Sequence, residues 1–71
     1  MYFKRLKDLR EDKDLKQINI ARILNIKQQN YSRYENGTIT MPIEKLIILS
    51  EFYQVSIDYI VGRTNKKELN K

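Results

Sequence analysis

Residues 15–37, LKQINIARILNIKQQNYSRYENG, decide how this chain is read. They divide into two short amphipathic segments joined by a tight turn. In the first, Leu15, Ile20, Ala21 and Leu24 make one apolar stripe at helical spacing. Ala21 is small, which lets a neighbouring helix come close. Asn25 falls where the chain must turn, and asparagine tolerates the left-handed backbone conformation better than most residues with a Cβ. Ile26 follows as an apolar plug. The next helix begins near Lys27, and the Asn36–Gly37 pair ends it, glycine supplying a positive φ. At about 100° per residue, Gln28, Gln29, Ser32, Arg33 and Asn36 fall within an arc of roughly 140°. Tyr31 and Tyr34 lie on the other side. One face of this helix can dock on a core while the other presents amides, a hydroxyl and a guanidinium. Those are the groups that reach the base edges and phosphates of duplex DNA.

The rest of the chain reads as a scaffold for that segment. Phe3, Leu6 and Leu9, three apart, predict a first helix from about Tyr2 to Asp12, with Asp14 as a breaker. Residues 37–41 are a loop. Pro42 suits the first turn of a fourth helix that runs to about Tyr53, and Glu44 sits near its positive end. Ile43, Leu46, Ile47 and Leu49 give that helix a broad apolar face. Gln54 and Val55 turn the chain. Ser56 is a good N-cap for a short fifth helix, Ile57 to Val61, which Gly62 closes. Residues 63–71 are polar, lack apolar periodicity apart from Leu69, and are expected to be loose or weakly helical. There is no strand-type alternation. The expected fold is all-α, a compact bundle of five helices, with residues 1–63 as one domain and residues 64–71 as a polar tail.

Composition narrows the function. A chain of 71 residues holds one domain and a modest core. It has no cysteine and no histidine, which removes disulfides, cysteine-based zinc sites, the commonest general base and the commonest metal ligand. A glycine-rich phosphate loop and a clustered carboxylate site are also missing, so an enzyme is not expected and no cofactor is implied. Absence of cysteine fits a reducing cytoplasm. No apolar run is long enough to span a bilayer, and no secretory signal pattern opens the chain. The net charge is +5 and the pI about 9.6. It is uneven: net +5 over residues 1–33, −3 over 34–60 and +3 over 61–71. The positive charge concentrates on the half that carries the amide-rich helix, as a polyanion-binding face requires.

At this point the chain resembles a known family, the helix-turn-helix DNA-binding domains of the phage repressor and Cro type. The matching residues are RLKDLR at 5–10, Gln17, Ile20–Ala21, Leu24, Ile26, SRYENG at 32–37, PIEKL at 42–46 and VSIDYIVGR at 55–63. The match covers residues 3 to 64, and the spacing of SRYENG and VSIDYIVGR is highly specific. The resemblance implies a five-helix bundle whose third helix enters the major groove while the second lies across the backbone. It assigns base reading to Gln28, Gln29, Ser32 and Arg33. Gln17 and Asn36 match backbone-contacting positions; Arg10 is expected to add phosphate contact, as are Lys16 and Lys27, because a helix N-terminus is an anion site and the family's docking geometry turns these two toward the DNA backbone. The resemblance also makes Arg10 and Glu35 an ion pair tying the first helix to the third. The function implied is a transcriptional regulator, acting as a repressor and binding double-stranded operator DNA as a homodimer through the fifth helix, around Ile57, Tyr59, Ile60, Gly62 and Arg63.

The departures from the family pattern are informative. Lys16 and Lys27 stand where the family usually has serine or threonine helix caps, and an ammonium cannot accept a hydrogen bond. Asp14 and Asn25 stand where it often has glycine. Ile18 and Ile23 occupy positions more often polar. They are either extra core or a partner surface, and the latter opens a second reading, a protein-interaction module such as the antitoxin half of a toxin–antitoxin pair, in which Ile18, Ile23 and Ile39 meet a protein partner.

Overall fold

The computed structural model describes residues 3–68. Among them the order is α1 (Lys4–Asp12), α2 (Gln17–Leu24), α3 (Gln28–Glu35), α4 (Ile43–Tyr53) and α5 (Ile57–Ile60), with no strand. Among the described residues no helix is long and apolar enough to cross a membrane. The expected start of α1 at Tyr2 and the apolar Leu69 lie outside the described residues. Phe3 is instead the buried N-cap of α1. The Arg63–Glu68 stretch is not helical, in keeping with the expectation, but it is fastened: the Arg5 guanidinium donates to the carbonyls of Tyr59 and Thr64 and to Asn65 Oδ1, and the Ser56 N–H donates to the Lys67 carbonyl.

The turns follow one design. After α1, α2 and α4 a residue with a side chain takes the left-handed conformation: Asp14 (φ 55°), Asn25 (φ 57°) and Gln54 (φ 57°). The next residue is apolar in each case, and its N–H reaches back five positions. Leu15 bonds Arg10 O at 3.1 Å, Ile26 bonds Ala21 O at 2.9 Å and Val55 bonds Ser50 O at 3.1 Å. This is the Schellman arrangement, in which a terminal carbonyl is satisfied and an apolar residue is pressed onto the preceding helix. α5 ends the same way with Gly62 (φ 85°) and an Arg63 N–H to Asp58 O bond of 2.8 Å. The Lys45 ammonium adds a bond to the Leu24 carbonyl at 3.1 Å, a cation at the negative end of α2.

These turns fold the helices around Leu6, Ile20, Leu24, Tyr31, Leu49 and Ile60, all essentially buried. Tyr31 is core, as its side of α3 predicts. Tyr34 is half-buried against it. The broad apolar face expected of α4 is narrower in fact. Leu46, Leu49, Ser50 and Tyr53 are buried, while Ile43, Ile47, Ile48 and Phe52 are exposed. On a helical projection the exposed four form two strips, one on each flank of the buried stripe, with Glu44 and Glu51 between them on the outer face. Pro42 caps α4 from outside and is not its first residue.

Candidate nucleic-acid interface

The position of α3 is set from below by charge. Arg10 Nε donates to Glu35 Oε2 at 2.6 Å, and Arg10 Nη2 donates to Glu35 Oε1 at 3.1 Å. The remaining Arg10 nitrogen, Nη1, donates to the Leu15 carbonyl at 2.9 Å. The two side chains are only 12% and 5% exposed. The ion pair expected between α1 and α3 is therefore a buried fork. Gln17 joins it, its Nε2 donating to Glu35 Oε1 at 3.2 Å. Burial pushes the Glu35 carboxyl up. The bonds from Arg10 and Gln17, with help from the Tyr31 hydroxyl, outweigh burial and hold it below its ordinary value. The Tyr31 hydroxyl itself falls short of full hydrogen-bond geometry. Burial raises the pKa of Tyr31, and that of Tyr53, far above the physiological range.

Above this floor, α3 turns Gln28, Gln29, Asn30, Arg33 and Asn36 to solvent. Gln28, Gln29, Ser32 and Arg33 line one open concavity of about 760 Å³ together with Lys27 and Gln17. Six residues singled out from the sequence thus meet on one surface. Gln17 supplies the wall, half-buried at the start of α2. A second concavity of about 480 Å³ adjoins it, lined by Lys7, Arg10, Gln17, Ser32, Glu35 and Asn36. Each guanidinium nitrogen of Arg10 gives one N–H to Glu35 or Leu15, which leaves two of its five N–H donors beside the second concavity.

The helix starts behave as the lysines predict. No side chain accepts a hydrogen bond at the Lys16 cap of α2 or the Lys27 cap of α3. Ser56 is the contrast, its Oγ accepting from the Tyr59 N–H at 3.0 Å. Lys16 does gain half of a capping box, because Asn19 Oδ1 accepts from the Lys16 N–H at 2.8 Å. Lys16 lies outside both concavities, whereas Lys27 lines the first.

Sequence reasoning passed over some residues. Asn19, three positions after the cap, carries the spacing of a capping box and could have been found. Lys7 is separated from α3 by 20 residues or more and nothing local marks it. Thr38 closes the end of α3, its N–H and hydroxyl both donating to Asn36 Oδ1, at 2.9 and 2.5 Å. One residue expected at a dimer contact is buried. Ile60 is 1% exposed and belongs to the core, while Ile57 and Tyr59 are half-buried. The Tyr59 ring is covered by the Arg5 guanidinium, 4.1 Å from its centroid, with the Lys67 ammonium at 5.7 Å.

Comparison with known proteins agrees with this architecture. The family described as helix-turn-helix matches residues 6–60. The HTH-type transcriptional regulator YobD of Bacillus subtilis is 38% identical over 65 residues, covering 92% of this chain and 58% of that protein. Antitoxin PezA of Streptococcus pneumoniae is 42% identical over 62 residues, covering 87% of this chain and 39% of the relative. The crystal structure of a transcriptional regulator from Listeria innocua superposes with a TM-score of 0.82 at 34% identity, covering 87% of this chain and 58% of that one. The chain thus spans about half the length of the relatives it matches. With the buried Arg10–Glu35 fork beneath an outward-facing amide stripe, and with that family match over most of its length, this chain belongs to the helix-turn-helix family, of the phage repressor and Cro type.

Proposed function

We propose that this chain is a sequence-specific, double-stranded DNA-binding transcriptional regulator that reads the major groove with α3 and represses by occupying an operator. The observation that carries the reading is the convergence of Gln28, Gln29, Ser32 and Arg33 with Lys27 and Gln17 on one exposed concavity. A glutamine can bond adenine through two hydrogen bonds, and an arginine can do so with guanine. Lysines and helix N-termini supply the sequence-independent attraction to phosphate. The reading has no catalytic step, needs no cofactor and sets the protein to work in the cytoplasm. One short helix reads only a few base pairs, so the chain acts as a homodimer on two half-sites about one helical turn, 10–10.5 base pairs, apart. The exposed part of α5 and the adjoining Gly62–Arg63 are its contact. Selection of bound duplexes from a random pool, followed by footprinting, tests this. A two-fold symmetric site whose affinity falls steeply with salt is the expected result. No selected duplex, or a flat salt response, overturns it.

A second reading has support of its own. Ile23, Ile39, Ile43, Ile47, Ile48 and Phe52 are exposed apolar side chains, and one relative is named as an antitoxin. In that reading the same fold also meets a protein partner through Ile23 and Ile39. Ile18, half-buried, contributes less than its sequence position promised.

A further inference from the structure

We infer that Arg5 is a positioning residue for the homodimer: its guanidinium clamps the turn at Gly62–Arg63 and so fixes the half-site spacing that the paired chains accept. This role rests on the homodimer reading, in which α5 and Gly62–Arg63 are the contact between copies.

The need for a clamp comes from α5 itself. It has four residues, and a helix that short does not hold its own direction. Ile60 anchors it in the core. The turn beyond has no such anchor. Gly62 takes φ 85°, and a Cβ added there would meet nothing within 4 Å, so no packing fixes the outer side of the turn. The Arg63 N–H bonds the Asp58 carbonyl, which sets the shape of the turn but not its direction relative to α1. The Arg63–Asp58 ion pair, at 3.8 Å and largely exposed, contributes little.

Arg5 supplies the hold from α1. Its Nη1 donates to the Tyr59 carbonyl at 2.8 Å and to the Thr64 carbonyl, and its Nη2 donates to Asn65 Oδ1 at 2.6 Å. Tyr59 and Thr64 lie on either side of Gly62–Arg63, so one guanidinium grips the chain before and after the turn. The same group lies over the Tyr59 ring, 4.1 Å from its centroid, with the Lys67 ammonium 5.7 Å from that centroid. The Ser56 N–H donates to the Lys67 carbonyl at 2.9 Å and closes the segment back onto the start of α5. A planar fork with donors in fixed directions can meet these three acceptors and stack on a ring at once. A lysine ammonium has neither the plane nor the fork.

α1 then joins the two ends of the device. Arg5 ties it to the contact between copies, and Arg10, on the same helix, ties it to α3 through the buried fork with Glu35. In a dimer joined at Gly62–Arg63, the angle between the two reading helices follows from the angle at which that turn is held against α1. Adding one base pair between half-sites moves one of them by about 3.4 Å and turns it by roughly 35°. A clamped turn cannot follow that shift, and a loose one can.

The test uses the operator selected by wild-type protein, the same duplex with one central base pair inserted or removed, and a duplex carrying a single half-site. Fluorescence anisotropy is read for wild type, Arg5→Lys and Asn65→Ala. Leu49→Val, a truncation in the core of α4, controls for loss of stability, with urea midpoints measured on every variant. Wild type should bind the shifted duplexes about tenfold more weakly than the selected one, and Arg5→Lys no more than about threefold. Asn65→Ala removes one exposed acceptor without touching the core and should fall between them. Binding to the single half-site, and base choice within it, should match wild type in all three variants. A wild-type spacing preference in Arg5→Lys would overturn the clamp. So would a loss on the single half-site as large as that on the full operator, or equal relaxation of spacing in Leu49→Val. If footprinting of wild type shows one asymmetric half-site, the homodimer reading fails first, and the role of Arg5 with it.

Discussion

Replacing Lys27 by serine should make the free protein more stable and its DNA complex weaker. Lys27 is the N-cap of α3, with φ −73° and ψ 146°. Ser56, a working cap in the same chain, has φ −72° and ψ 152° and accepts from the Tyr59 N–H at 3.0 Å. The backbone at position 27 is thus already shaped for a serine cap, and no main-chain movement is needed. A cap bond contributes about 0.5–2 kcal/mol. Removing a positive charge from the positive end of a helix adds about 0.3–1 kcal/mol, reduced here because Lys27 is exposed. A net gain of about 1 kcal/mol corresponds to a rise in Tm of roughly 4–8 °C for a domain of this size. Lys27 also lines the reading concavity, beside the α3 N-terminus where a phosphate is favoured. Losing one phosphate contact should make the salt slope shallower by about 0.9. Between 50 and 200 mM salt the variant should then lose about 3.5-fold less affinity than the wild type. Thermal melts and fluorescence anisotropy on the same preparations measure both effects. Lys27→Ala separates them, since it drops the charge without supplying a cap and should gain only the small dipole contribution. An unchanged Tm in Lys27→Ser, or a rise in both stability and affinity, would refute the trade of stability for phosphate contact.

Lys16→Thr should also raise Tm, by an amount worth about 0.5–1.5 kcal/mol, because Asn19 already supplies the reciprocal half of a capping box. Its effect on the salt slope should be smaller than that of Lys27→Ser, a ranking that anisotropy titrations check. Glu35→Gln leaves Arg10 buried without its counter-charge and should cost about 3–5 kcal/mol by urea unfolding, while Arg10→Met with Glu35→Leu should recover most of the loss. Because the folded Glu35 carboxyl lies below its ordinary 4.5, the pair's contribution is fully present above that pH and is lost as pH falls through the lowered value. Melts from pH 7 to pH 3 should show that loss in wild type and not in the apolar double variant. Gln54→Gly relieves a left-handed residue that has neither glycine's freedom nor asparagine's tolerance, and should stabilise by about 1 kcal/mol; no change in the urea midpoint would contradict the strain. Gln28→Ala and Arg33→Ala should each relax base choice at one position per half-site, at about 1–3 kcal/mol for a good bidentate contact, whereas Gln17→Ala should weaken all sequences alike. Selection on the variants decides between these patterns.

The sequence alone determined the elements of this protein and the face of α3 on which its amide stripe stands. Helical periodicity is local, and so are turn signals. Leu15 to Gly37 therefore reads correctly as helix, turn, helix, with Asn25 in the left-handed conformation and the amides on the outer side of α3. The missing caps at Lys16 and Lys27 were equally legible, because whether a side chain can accept a hydrogen bond is a property of the residue itself. What the sequence left open was settled by residues distant along the chain. Periodicity marked Ile43 and Ile47 as apolar face, yet only the placing of neighbouring helices decides which part of an apolar helix surface is covered, and these two are not. Arg10 pairs with Glu35, 25 positions away, which takes two of its nitrogens, and the depth of that pair is set by the packing of α1 on α3. The same packing turns Gln17 into a bridge between floor and surface. Composition could say that the N-terminal half is basic. Which of those charges faces outward depends on which are spent inside, and pairing across 25 residues is a tertiary fact.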